Sequence, residues 1–265
     1  MTTIGVSGAA GRMGMRILTL ANEDPDLQVT AAIERPEHPD LGKDAGEIAG
    51  IGPIGVLLSE KQSSNMEVLI DFSSPQSTLA RLRSSVKNGT NMVTGTTGLT
   101  DEINTEIKDA AKSVALLASP NMSVGVNLLF NLVGEVAAAL GEDFDVEIVE
   151  AHHRFKKDAP SGTALRLGEC IAEALGRDLS KDGVHGRFGQ VGERTTNEIG
   201  MHAIRGGDIV GEHTVYYAAL GERIEVRHVA QSRDTFVRGA IRAAKFLAHK
   251  KPGLYTMDDV LGLKS

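Results

Sequence analysis

The sequence predicts an α/β protein in two parts, on three observations. A short β-prone stretch near the N-terminus runs into G-A-A-G-R-M-G, Gly8 to Gly14, and then into apolar residues at helical spacing. Up to residue 118 that alternation repeats, each apolar run ending in small polar residues or glycines. Past Ser123 the rhythm changes to longer helices and then to successive strands between glycine turns, the mark of a second domain with a mixed sheet.

Composition narrows the function. A chain of 265 residues can bury one large core or two modest ones. Thirty glycines with no tryptophan fit loops that bring backbone close to a ligand. A formal net charge of −7 argues against nucleic acid as a partner. The lone Cys170 excludes an internal disulfide framework, and in its helical pattern it reads as a packed thiol. With no leading apolar signal and no uninterrupted apolar run of membrane length, a soluble cytoplasmic protein without a membrane partner is expected.

The elements follow in order. Residues 2–7 form a strand, and Met13, Ile17, Leu18 and Ala21 mark one face of the helix after the glycine turn. Glycines there let the main chain approach a pyrophosphate, whose charge the helix start favours. The spacing is GxxGxxG rather than the commoner GxGxxG, and a glycine turn that merely packs a helix is the alternative. About twenty residues on, a strand at 29–33 ends in Glu34 and Arg35, where a dinucleotide fold reads the adenosine ribose. Residues 36–55 form a long connection with at most a short helix, of the kind that is functional or mobile. Buried strands at 66–72, 91–94 and 114–118 end in D-F-S-S-P, G-T-T-G and S-P-N-M, and a helix runs from the first of these turns to about Gly89. Beyond them come a helix at 126–140, a strand at 145–151, a helix at 164–175 and a loop of modest order at 176–197. Residues 199–205, 209–218 and 223–230 read as antiparallel strands, and 235–249 as an amphipathic helix whose packing partner its pattern leaves open.

The densest chemistry is E-A-H-H-R-F-K-K-D-A-P-S-G-T, Glu150 to Thr163. Its cations stand out in an acidic chain and point to a small anion. Strand alternation sends His152 and His153 to opposite sides unless the chain bends. Pro160 stiffens a turn from which Ser161, Gly162 and Thr163 open a helix with free N–H groups, a socket for a carboxylate. A metal site would need a third ligand at a familiar spacing, and no Cys, Asp or Glu stands there. A solvated basic loop is the remaining alternative.

With these residues in view, the chain resembles the dihydrodipicolinate reductase family. The Glu150–Thr163 stretch carries the resemblance, together with G-A-A-G-R-M-G, Glu34-Arg35, D-F-S-S-P, G-T-T-G, S-P-N-M-S-V-G-V-N and R-G-G-D-I-V-G-E-H-T-V, in order and from end to end. The resemblance implies a Rossmann-like parallel-sheet dinucleotide domain, residues 1–122 with 232–265, and a second α+β domain with an open mixed sheet, residues 123–231. It implies NADH or NADPH as cofactor, a small dicarboxylate substrate and a homotetramer built through the second domain. His152 and Lys156 match the proton-transfer residues, and His153, Ser161, Gly162 and Thr163 the substrate contacts. Gly8, Ala9, Ala10, Gly11, Arg12, Met13, Glu34, Arg35, Gly95, Thr96, Thr97, Ser119, Pro120, Asn121 and Met122 match the cofactor contacts. Phe155 and Met122 depart from residues common in the family, which puts affinity in question rather than proton chemistry. The implied activity is reduction of 4-hydroxy-tetrahydrodipicolinate, with loss of water, in lysine and diaminopimelate biosynthesis. Another two-domain nicotinamide dehydrogenase would share the first domain only, and a dinucleotide sensor would not need histidine, lysine and socket together.

Overall fold

The computed structural model of the protein describes residues 1–263, so the last two positions of the 232–265 segment lie outside the described residues. The chain divides into two compact units: Met1–Val124 with the chain from Asp234 on, and Gly125–Arg233.

The first unit begins with β1 (Thr2–Ser7), α1 (Arg12–Asn22) and β2 (Leu27–Ile33). The long connection that follows holds α2 (Ala45–Ala49) and is pinned by Asp44, whose carboxylate accepts the N–H groups of Gly46, Glu47, Ile54 and Gly55. A segment expected to be functional or mobile is thus tied down by one side chain. Next come β3 (Leu58–Ser59), β4 (Val68–Asp71), α3 (Pro75–Asn88), β5 (Asn91–Thr94), α4 (Asp101–Ala110) and β6 (Ala115–Ala118). Local chemistry sets α3: Pro75 opens it, the Ser74 hydroxyl accepts the Ser77 N–H, and left-handed Gly89 ends it. Thr100 caps α4, which buries only Ile103 and Ile107 and so leaves a faint periodic signal.

The second unit takes in α5 (Val124–Leu140), a 3₁₀ turn, β7 (Asp145–His152), α6 (Gly162–Ala174), α7 (Leu179–Asp182) and β8 (Gly183–His185). It closes with β9 (Ile199–Arg205), β10 (Gly211–Ala219) and β11 (Glu222–Ala230), giving the sheet order β11-β10-β7-β9-β8. Strand β10 is antiparallel to both neighbours, but β9 runs parallel to β7, not antiparallel as its sequence pattern suggested. The reason is the crossover: α6 and the chain after it separate β7 from β9, and parallel pairing needs a connection of that length. Leu129 and Val133 of α5 and Leu167 and Ile171 of α6 pack on Val146, Ile148, Val215 and Tyr217. The Tyr217 hydroxyl donates to the Val133 carbonyl at 2.6 Å. By length and composition α5 with its 3₁₀ turn could cross a membrane. Asn127, Asn131 and Glu135 interrupt it, and its inward residues build this core.

The chain then adds α8 (Asp234–Leu247), β12 (Gly253–Tyr255) and α9 (Met257–Leu261) to the first unit. Val237, Ala240, Ala244 and Leu247 of α8 join Val6, Ile17, Ile70 and Leu117 in one core. Arg16 grips Asp234 through two hydrogen bonds of 2.9 and 2.6 Å. The sheet order is β12-β6-β5-β4-β1-β2-β3 and every pair is parallel. Apolar clusters cover both faces, which explains strands that read as continuous apolar runs.

Candidate active site

In the first unit the glycine turn has little freedom to be anything else. Gly8 has φ of 74°, and a Cβ on it would stand 2.4 Å from the Phe72 carbonyl oxygen. A Cβ on Gly14 would stand 2.1 Å from the Gly8 oxygen. Gly11 is the N-cap of α1, with no side-chain cap and no acid in the first turn, so the helix start suits an added anion. Ala9 is fully buried, Arg12 is exposed and Met13 packs partly on the core. Glu34 leaves the end of β2 and bridges back, accepting the Ala10 N–H at 3.3 Å and the Arg35 N–H at 2.9 Å. Arg35 is exposed.

The other strand-end turns are held from below by Asp71, fully buried at the end of β4. It accepts hydroxyls from Ser73 and Thr78 at 2.6 Å and from Thr94 and Thr96 at 3.0 Å. The Thr96 side chain is therefore committed inward, while Thr97 is exposed. The Ser119 hydroxyl donates to the Asn121 carbonyl and accepts the Asn121 N–H, folding S-P-N-M into a tight turn with Pro120 exposed. The Met122 side chain, at 1% exposure, belongs to the core, and its carbonyl rests against Gly239 of α8.

In the second unit the chemistry gathers around Glu150, only 1% exposed on β7. Arg205, at the end of β9, clamps it with hydrogen bonds of 2.7 and 2.6 Å to its two oxygens. The Ser161 N–H donates to Oε1 at 3.0 Å, and His152 Nδ1 lies 2.6 Å from Oε2. Burial pushes the Glu150 pKa up, but hydrogen bonds from His152, Arg205 and Ser161 outweigh it and hold the carboxyl at about 2. His152 shares the Glu150 side of the strand, as residues two apart must. His213 packs edge-on against His152 with ring centroids 5.2 Å apart. Burial first, then the neighbouring His152, push its pKa down to about 3.

Lys156 lies in the loop after β7, its Nζ 2.9 Å from each Asp158 carboxylate oxygen. A cis Ala159–Pro160 bond leads into α6. Ser161 caps α6 by accepting the Ala164 N–H at 3.2 Å, and its hydroxyl also meets His213 Nε2 at 3.2 Å. At 2% exposure its polar groups face inward, whereas Gly162 is exposed with open space around it. His153 Nδ1 is buried without a hydrogen-bond partner among the described residues, and its ring lies 6.2 Å from the exposed Phe155. No group of three metal-ligating residues occurs among the described residues. Sequence reasoning singled out neither Arg205, His213 nor Glu150 as site residues. The first two end the motif R-G-G-D-I-V-G-E-H, so a motif with charge at both ends was the available signal.

A parallel-sheet unit with a pyrophosphate-type turn, joined to a unit carrying a histidine–lysine loop at an open helix start, defines a two-unit nicotinamide-dependent reductase. Family models of the dihydrodipicolinate reductase N-terminus and C-terminus match residues 2–122 and 125–261. The chain belongs to the dihydrodipicolinate reductase family. It is 52% identical to the 4-hydroxy-tetrahydrodipicolinate reductases of Syntrophotalea carbinolica and Geobacter sulfurreducens over 100% of each chain. Among solved structures, it is similar to a dipicolinate-bound dihydrodipicolinate reductase from Paenisporosarcina sp. TG-14. The TM-score is 0.76, with 23% identity and 97% of each chain covered. An amine dehydrogenase from Mycobacterium smegmatis shares the fold at a TM-score of 0.59, with 13% identity and 97% and 95% of the two chains covered.

Proposed function

We propose that His152 and Lys156 carry the proton chemistry in the NAD(P)H-dependent reduction of 4-hydroxy-tetrahydrodipicolinate, the lysine and diaminopimelate pathway reaction of this family. The observation that supports these roles is the short stretch from the end of β7, with His152, through Lys156 to the start of α6, which Arg205 ties together by holding Glu150 and the Asp158 carbonyl. The dinucleotide, when bound, supplies the hydride. Its pyrophosphate would rest on the 8–13 turn, with Glu34, Arg35 and the 95–97 and 119–122 turns as further contacts. Gly162, Thr163 and His153 hold a substrate carboxylate, and Ser161 shapes that socket from beneath. Lys156 gives a proton to the carbon next to the one that receives hydride, and the surrounding cations offset the charge that develops there.

Glu34 offers a carboxylate to ribose hydroxyls and Arg35 a guanidinium to a 2′-phosphate, so both NADH and NADPH are used. Arg35→Ala weakens NADPH by about 1–3 kcal/mol and NADH much less. Calorimetric titration checks it, and equal losses for both cofactors would remove the role of Arg35. The unit Gly125–Arg233 builds a homotetramer through the sheet face opposite α5 and α6, where Ile204 and Val229 are half-exposed. Light scattering that shows a monomer would overturn that assembly. The activity itself is tested by loss of NADH absorbance with the freshly made condensation product of pyruvate and aspartate semialdehyde. No turnover of it would sink the assignment.

A further inference from the structure

We infer that Glu150, clamped by Arg205, is a positioning residue that holds His152 in the tautomer with its proton on Nδ1 and leaves Nε2 bare for proton transfer. The inference rests on the proposed role of His152 and adds what sets that residue's chemistry.

Both Glu150 oxygens are already engaged by Arg205, and Oε1 also accepts the Ser161 N–H, so the carboxyl stays ionised and can only accept. The 2.6 Å contact to His152 therefore requires the hydrogen on Nδ1. Nε2 has no hydrogen-bond partner among the described residues. Facing it at the start of β10 is Gly211, where even a Cβ would come within 3.1 Å. A glycine there keeps the nitrogen uncovered.

The neighbours reinforce this arrangement. The Ser161 hydroxyl meets His213 Nε2 at 3.2 Å, while His213 Nδ1 is buried without a hydrogen-bond partner among the described residues, so an imidazolium there would leave an N–H unpaired. His213, buried and in register with both Glu150 and His228, thus stays neutral beneath His152 and adds no opposing charge. Arg205 also donates to the Asp158 carbonyl at 2.8 Å, linking the clamp to the loop that carries Lys156. When Nε2 gains a proton, the charge forms against a fixed carboxylate. That proton returns from Nε2 to the substrate or solvent, and Glu150 never takes it up. A plain structural ion pair would anchor β7 to β9 but would leave the His152 tautomer unconstrained.

Long-range proton–nitrogen correlation spectra of histidine-labelled protein, assigned with His152→Gln, read the tautomer directly. We expect Nδ1–H for His152 in the wild type and its loss in Glu150→Gln, with kcat lower on the order of 100-fold and KM and NADH affinity within about 3-fold. An Nε2–H tautomer in the wild type overturns the inference whatever the fate of Glu150→Gln. Turnover lost in His152→Gln but kept in Glu150→Gln overturns the positioning role alone. Turnover kept in both overturns the reading of the site, and the inference with it. Glu150→Asp, which restores the charge, should recover part of kcat, and a rate no better than that of Glu150→Gln counts against a carboxylate acting through His152.

Discussion

Strand β7 carries two glutamates three residues apart, and alternation puts them on opposite faces of the sheet. Each meets arginine and histidine. Glu147 pairs with Arg187 at 2.8 Å, Arg194 at 3.1 Å and His202 at 2.7 Å, and Glu150 with Arg205 and His152. Burial raises both pKa values, yet both carboxyls are pulled to about 2 by their hydrogen bonds. What separates them is what lies beyond the histidine. The Glu147 side chain is 23% exposed, and the histidine nitrogen it engages is Nε2, in a cluster that ties the 187–198 segment to the sheet. Glu150 is 1% exposed and engages Nδ1, so the free nitrogen of His152 lies beside Gly211 at the start of β10, where no side chain covers it. Under the proposed roles, similar ion clusters thus do different work, and burial with ring orientation separates the two.

The sharpest test of that contrast is turnover. Lys156→Ala and His152→Ala should each lower kcat on the order of 100-fold or more while leaving NADH binding intact, because neither residue belongs to the nucleotide turns. The double variant should lose less than the product if the two share one proton path. Steady-state rates and cofactor titration check this, and wild-type turnover in Lys156→Ala would remove its role.

Acid should expose the buried cluster next. His213 is held neutral well below its ordinary value, so as pH falls from about 6.5 to about 3 the unfolded chain takes up the proton first and the fold loses stability. That loss is up to roughly 5 kcal/mol at the usual 1.36 kcal/mol per pKa unit. Glu150 acts in the same direction lower down: its contribution of about 3 kcal/mol is complete above its unfolded pKa and is lost as pH falls through about 2. Urea unfolding at a series of pH values measures both. His213→Phe should flatten the curve above about pH 4.5, and an unchanged slope there would show that His213 is not the group responsible.

Much of this was legible in the chain. The glycine turn, the strand-end turns and the H-H-R-F-K loop are local patterns, and local physics places them where the sequence puts them. The Glu150 cluster was not, because its partners come from three strands: register sets Glu150 beside His213, and parallel pairing of β7 with β9 delivers Arg205. Reading β9 as antiparallel hides that last contact. Helix α4 leaves little trace in the sequence for a different reason, since two buried isoleucines make too thin a stripe, although Thr100 with Asp101 and Glu102 is a helix-start signal.

The smallest effect should come from the other face of β7. In Glu147→Gln the side-chain oxygen still accepts from Arg194 or Arg187, while Asp145 and Glu198 remain as carboxylate partners at 2.7 and 2.9 Å. Glu147 shares the sheet face through which assembly is proposed, so the screening by solvent and salt that keeps partly exposed pairs weak applies to the separate chain. The separate chain of the variant should therefore unfold about 1 kcal/mol more easily, less so at high salt, with turnover and KM of the protein unchanged. The contrast with Glu150→Gln is what matters: the same one-atom change on the same strand, three residues apart, costs a rate on one face and only a little stability on the other. Urea titrations at low and high salt alongside steady-state kinetics decide it. A kcat loss in Glu147→Gln comparable to that in Glu150→Gln would mean that the two faces are not independent and that ring orientation does not separate site from anchor.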